Sequence, residues 1–331
     1  MKFKSGISVL ALALAASLAS PTPANAASKI CIAYDTGGLG DRSYNDATLA
    51  GLKTAQSQFT FGFESVVTDG TAADRGKRLR SLVAKNCEVI IAIGSEYKKT
   101  VEQLSSEFPA TQFAIIGDAT IESLNVTSIV FADVQGAFLA GFSAALTTKT
   151  GKVAMITTPS NADNYQNGFL AGVAASKKKV RSFVNYTATD LAIATNSFIK
   201  LGIDVIYTAT SGSADVAFDA IVKANTAKNR KKNASDVYLI LTEPDLYLTV
   251  TSTTSKYLLA SVVKRVDRAV FDVISATVNN GIIADELDAD LGIFGRRYTI
   301  SNQGVEIVLK SKVLGAQAAV INAAASAAYA R

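Results

Sequence analysis

Two doubly wound α/β lobes with parallel sheets, joined by a hinge, are the fold this sequence predicts. Three observations carry that expectation. Short apolar, β-branched runs alternate with amphipathic helical stretches along the whole chain. The runs are apolar on both faces, as strands covered by helices on either side must be. There are ten of them, too many for one small sheet, and two seams interrupt the alternation.

The expected strands are 30–34, 63–67, 89–93, 113–116, 128–131, 153–156, 181–186, 204–209, 237–242 and 256–259. Helical periodicity fills 73–85, 97–107, 135–147, 164–176, 191–201, 213–223 and 262–279. The first seam is the polar stretch 118–127, with a helix opening near Val134; the second falls near 249–259. These seams predict a first lobe of residues 27–131 plus 261–331 and a second lobe of 132–260. In open parallel sheets, ligands sit outside the carboxyl ends of the strands. Two facing lobes would line one cleft with those loops.

The first residues do not belong to either lobe. A short basic start, the apolar stretch ISVLALALAASL and the small-residue sequence ending at Ala26 read as a secretory leader cleaved after Ala26. Cys31 lies in the wrong context for a lipid anchor, so an exported protein without a lipobox cysteine is expected, periplasmic or extracellular. The remaining ~305 residues suffice for two cores. Hydrophobic residues make up 49% and charged ones 18%, a globular balance. The net charge of +5 is mild. The basic clusters 176–179 and 228–232 sit beside turn residues without interleaved aromatics, which fits solvated loops better than a nucleic-acid face.

The chain has no histidine and two cysteines. That removes Ser-His-Asp and Cys-His nucleophiles and the commonest zinc ligand. No metal or cofactor is expected. A hydrolytic acid set of Asp35, Asp118 and Glu243 is formally possible, but no base–nucleophile pair accompanies it.

The stretch DTGGLGDRSYN leaves the first strand at Asp35. It is neither GxGxxG nor a P-loop. Its acids also discourage an anionic ligand, although Asp35 and Asp41 would serve equally to tie down the turn. Asn45 or Ser43 is placed to cap the next helix, and Asn45 is also expected among the ligand contacts. Tyr44 is either a flat surface at the cleft or simply a helix-start residue.

The whole stretch IAYDTGGLGDRSYNDATLAGL resembles the opening signature of the basic membrane protein family, the purine-nucleoside receptor type of substrate-binding protein, with Tyr44 in place of a phenylalanine. FAIIGDA, FADVQGAFLAGFSAA, YQNGFLAGV, LGIDVIYTATSG and ASVVKRVDRAVFDVI continue the likeness in order. The resemblance implies a periplasmic binding protein type I fold, capture of a nucleoside in the interlobe cleft, and delivery to an ABC importer permease by a monomeric receptor that binds no nucleic acid. It places the base on Tyr44, and Asp35 and Asp118 on the base or ribose. Lys264, on what should be a returning helix, reaches the ribose; it reads equally as a surface lysine beside Arg265. Glu243 stands where the family has an aspartate, and 209–216 replaces a glycine-rich loop. Either the ligand differs, for example a sugar or a flavin-like heterocycle, or the pocket compensates. Tyr207 and Phe218 are the candidates for a second stacking aromatic, each with a core position as its alternative. Cys31 and Cys87 fall at the amino ends of neighbouring strands in the order 2-1-3, so a disulfide is geometrically open, as is a pair of buried thiols.

Overall fold

The computed structural model describes residues 28–159, 162–187, 189–210, 214–228, 231–232, 234–242, 250–281, 283 and 285–329. The leader expected at 1–26 lies outside the described residues. The remainder forms two sheets flanked by helices.

The first sheet contains β1 (Lys29–Tyr34), β2 (Gly62–Val67), β3 (Val89–Ile93), β4 (Gln112–Ile116) and β5 (Val126–Phe131). The second contains β6 (Lys152–Thr157), β7 (Arg181–Tyr186), β8 (Val205–Ala209), β9 (Tyr238–Thr242) and β10 (Leu258–Lys264). Two strands expected from no pattern, β11 (Asp285–Asp288) and β12 (Ile293–Tyr298), extend the first sheet to the order β11-β12-β5-β4-β3-β1-β2. A third, β13 (Val305–Val308), edges the second in the order β13-β10-β9-β8-β6-β7. All neighbours are parallel except the two edge strands β11 and β13. The central strands are buried throughout, which is why they read as unbroken apolar runs.

Helices α1 (Tyr44–Gln56), α2 (Ala72–Val83), α3 (Lys98–Glu107) and α8 (Val266–Val278) flank the first sheet. Helices α4 (Asp133–Thr147), α5 (Ala162–Ala175), α6 (Leu191–Lys200) and α7 (Asp215–Thr226) flank the second. Two short C-terminal helices, α9 (Lys312–Gly315) and α10 (Ala318–Tyr329), pack on α4.

The lobe boundaries need correction. Ser261–Lys264 still belong to the second sheet, pairing with β9 on one side and β13 on the other. The chain therefore enters the first lobe at Arg265, not Ser261. Nor does it stay there: after β12 it returns, and β13 and α10 complete the second lobe. The physical reason is an edge. Without Val305–Val308, the whole length of Ser261–Lys264 would expose unpaired backbone groups.

Three chain segments thus cross between lobes, and they are laced together. The Ala132 N–H donates to the Tyr298 carbonyl (2.8 Å), and the Arg265 N–H to that of Gly304 (2.9 Å). The Ile300 N–H donates to the Gln135 side-chain oxygen (2.8 Å).

Cys31 and Cys87 are joined in a disulfide, with Cα atoms 5.8 Å apart. β1 and β3 are adjacent, as the expected order requires, and the bridge sits at their amino ends, away from the cleft.

Candidate functional site

The cleft begins where β1 ends. Its loop turns through Gly37, Gly38 and Gly40, all at positive φ. Asn45 holds this loop from within. Its amide oxygen accepts from the Asp35 N–H (3.1 Å), and its NH2 donates to the Gly38 carbonyl (3.0 Å). Asn45 is buried. Expected as a ligand contact, its side chain is instead committed to the backbone. Ser43 holds the N-cap position of α1, but neither its side chain nor that of Asn45 caps the helix amides. Asp41 takes that role, accepting from the N–H groups of Ser43 (2.9 Å), Asn45 (3.0 Å) and Asp46 (3.1 Å). Asp46 answers by accepting from Gly40 and Arg42.

Asp35 has a partner that the sequence did not reveal. The Arg75 guanidinium donates to its Oδ1 at 3.1 Å and to the Gly70 carbonyl at 2.8 Å. It also lies 5.4 Å from the centre of the Tyr97 ring. The Arg75 side chain is 9% exposed and that of Asp35 27%. The carboxylate at the cleft is therefore oriented and its charge countered. Its Oδ2 faces Gly94, where a side chain would crowd it. Asp118 follows β4, two strands along and so about 10 Å away by strand spacing. Its Oδ1 accepts from the Thr120 N–H and hydroxyl, both at 2.8 Å.

Tyr44 is the first residue of α1, half-buried, edge-on to Phe131 at 6.4 Å. Its hydroxyl accepts from Lys264 Nζ at 3.3 Å. Lys264 is the last residue of β10 and not part of a helix. It is no surface lysine: its side chain is 13% exposed and its ammonium pairs with Asp133 at 2.8 Å. The same ammonium lies 5.8 Å from the ring centres of both Tyr44 and Tyr165. One cation thus stands between an aromatic of each lobe. Asp133, Tyr165, Thr242 and Lys264 line a crevice with no room for even a water-sized solute. A larger solute requires the lobes to part.

Neither expected second aromatic offers a ring face. Tyr207 is fully buried and stacked on Phe169, with centroids 5.7 Å apart and planes at 14°. Burial pushes its phenol well above the ordinary tyrosine range. Phe218 packs into the apolar cluster of the second lobe. The cleft aromatic of that lobe is Tyr165. Sequence reasoning quoted its segment but passed over the residue. The usable signal was position: like Tyr44, it sits in the first turn of a helix that follows a strand-end loop. Glu243 and the loop residues 211–213 lie outside the described residues.

Two hinged, doubly wound lobes meeting at a polar, tyrosine-walled cleft define a solute-binding protein of the periplasmic type. Solved structures of that build support the fold. An ABC transporter solute-binding protein from Conexibacter woesei superposes with a TM-score of 0.69 at 16% identity, covering 92% of this chain and 97% of its own. One from Aeropyrum pernix does so at 0.66 and 18%, covering 91% and 86%. The model of the PnrA-like ABC transporter substrate-binding proteins matches residues 28–324, and the chain belongs to that family. A CD4+ T-cell-stimulating antigen of Listeria innocua is 33% identical over 268 residues, 75% of this chain and 73% of that protein. An ABC transporter nucleoside-binding protein, BmpA, of Lactococcus lactis is 24% identical over 302 residues, 85% and 81% of the two chains. The protein is accordingly a substrate-binding component of an ABC transporter, with a small-molecule ligand and a transporter partner, acting outside the cytoplasm. No described helix is long and apolar enough to cross a membrane.

Proposed function

We propose that the ligand is an uncharged nucleoside, held between the lobes and released to an ABC importer. The observation that carries this reading is the arrangement around Lys264: tyrosines from both lobes flank one ammonium, and Asp35 stands at the mouth of the same cleft. A heterocyclic base offers a π-face to tyrosine, and ribose hydroxyls donate to carboxylates and accept from an ammonium. The nucleoside-binding description of the Lactococcus relative points the same way. Asp35, Tyr44, Asp118, Lys264 and Tyr165 are the residues assigned to the ligand, with Glu243 kept on sequence grounds. Asn45 and Arg75 position them. Ligand binding favours the closed arrangement of the lobes.

The protein acts as a monomeric receptor and returns its ligand unchanged. Calorimetric titration with inosine, adenosine, free bases, sugars, flavins and nucleoside monophosphates tests the ligand class. A nucleoside should bind and its monophosphate should bind far more weakly. Tighter binding of the monophosphate, or of a sugar alone, would sink the proposal. Inosine recovered intact after long incubation separates a receptor from a hydrolase. Intact mass and fractionation of the exported product test the leader and the absence of a lipid.

A further inference from the structure

The second lobe separates its charges by end. Asp133, Asp163 and Asp215 lie in the first turns of α4, α5 and α7, at the cleft end. The opposite end, where strands begin, is basic in loop after loop. Exposed Lys149 precedes β6, exposed Lys177, Lys178 and Lys179 precede β7, and exposed Lys228, Lys231 and Lys232 precede β9. The sequence shows these as separate clusters, each small enough to be a solvated loop. The sheet order puts β9, β8, β6 and β7 side by side, so the clusters share one pole.

Helix dipoles account for part of this. Lys200 and Lys223 stand in the last turns of α6 and α7, where a cation is favoured. Lys152 and Lys178 donate to the Leu201 and Leu146 carbonyls. Lys177 and Lys228 stand two residues past the ends of α5 and α7, where the same dipole still favours a cation, whereas Lys179, Lys231 and Lys232 lie farther along their loops. Among the described residues no ion pair engages any lysine of this pole, whereas the matching end of the first lobe is neutralised by Arg80–Glu107 (2.7 Å) and Lys29–Glu64 (3.8 Å). Of the acids at the basic pole, Asp204 is 3% exposed and is taken up by the Thr148 hydroxyl and the Lys149 and Thr150 N–H groups. Asp236 is half-buried. By strand spacing the loop before β6 lies about 5 Å from that before β7 and about 10 Å from that before β9, comparable with the roughly 8 Å screening length at physiological salt, so the fields of neighbouring loops overlap.

We propose that this pole is an electrostatic docking surface for the anionic phospholipid headgroups of the bilayer in which the transporter partner sits. Lysine suits that partner: it is a mobile point charge that attracts phosphate without demanding a fixed geometry, unlike the fork of arginine. Nucleic acid suits it less, since the aromatic side chains near this end, Tyr238 and Tyr257, are half-buried and buried and offer no stacking platform. The cleft lies at the other end of the strands, so lipid attraction gathers the receptor at the bilayer without covering the cleft.

Sedimentation with vesicles tests this, using phosphatidylcholine alone and phosphatidylcholine mixed with phosphatidylglycerol, at low and high salt. The protein should pellet only with the mixed vesicles and release in high salt. Changing Lys177, Lys179 and Lys231 together to glutamate should weaken that partition roughly tenfold or more. The same change at exposed Lys53, Lys77 and Lys99 of the first lobe, equal in net charge, should leave it nearly intact. A glutamine triple at the pole gives a milder version of the same trend, and thermal melting of each variant reports folding. Three results would overturn the proposal: no preference for anionic vesicles, equal loss in the two glutamate triples, or tighter binding to soluble polyphosphate or single-stranded DNA than to the vesicles. None of these bears on the nucleoside site, whose titration is separate.

Discussion

The two lobes secure their cleft faces by different physics. In the first lobe the rim is a web of directional polar contacts: Asn45 inside its loop, Asp41 on the α1 amides, Arg75 on Asp35. A covalent bridge holds the far end. In the second lobe the wall behind the cleft is steric. Helices α4 and α5 approach so closely that a methyl group added at Gly141, Gly168 or Gly172 would overlap the backbone of the other helix. Tyr207, stacked on Phe169, fills the space beneath. The difference teaches which lobe tunes the ligand and which resists it. Polar webs set the direction of individual groups, while close-packed helices set only a surface.

Loss of the staple should have the largest effect. Replacing Cys31 and Cys87 by serine should lower unfolding stability by about 4 kcal/mol, as expected for a closed loop of this length, while ligand affinity stays unchanged. Denaturant melts and calorimetry on the same variant check both halves, and a large affinity change would mean the two ends of the first lobe are coupled. Gly172→Ala should follow, costing up to about 3 kcal/mol through overpacking of α4 against α5. A harmless alanine there would end the steric account of the second lobe.

Arg75→Met should cost about 2 kcal/mol, because it strands the partly buried Asp35 carboxylate. It should also weaken ligand binding about tenfold. In a double-mutant cycle with Asp35→Asn, most of that loss should vanish; simple additivity would disconnect Arg75 from the site. Tyr44→Ala should weaken nucleoside binding by about tenfold to a hundredfold, by analogy with base stacking elsewhere. Smallest of all, Tyr44→Phe keeps the ring and loses the long contact from Lys264, and should change affinity less than about fivefold.

Most of this fold was legible because parallel strands covered on both faces must be apolar throughout. That signal located β1 to β9, the start of β10, whose end reads as helix in the sequence, and the order that brings Cys31 beside Cys87. It failed at the edges. Val305–Val308 and Asp285–Asp288 are four-residue strands whose place is decided by which sheet lacks a neighbour, a fact about tertiary structure. The same limit governs the site. Asp35, Tyr44 and Lys264 were visible through position and resemblance. Arg75 was not, since it comes from the first turn of a charged helix and only the fold turns it inward. Tyr207 looked available because aromatic type says nothing about which face of a sheet it occupies. Tyr165 needed the observation that two helices begin alike on opposite sides of one ammonium.

The three laced crossings have a mechanical consequence. A single flexible linker would leave two bodies free to twist, slide and tilt, and a ligand would have to suppress every one of those freedoms when it is enclosed. Three adjacent segments, tied to one another at Ala132–Tyr298, Arg265–Gly304 and Ile300–Gln135, resist twist and sliding and favour bending about their shared line. The entropy lost on closure is then mainly that of a single angle. Even a small neutral solute, with few contacts to offer, can set that angle, and the transporter meets a shape with one coordinate to read.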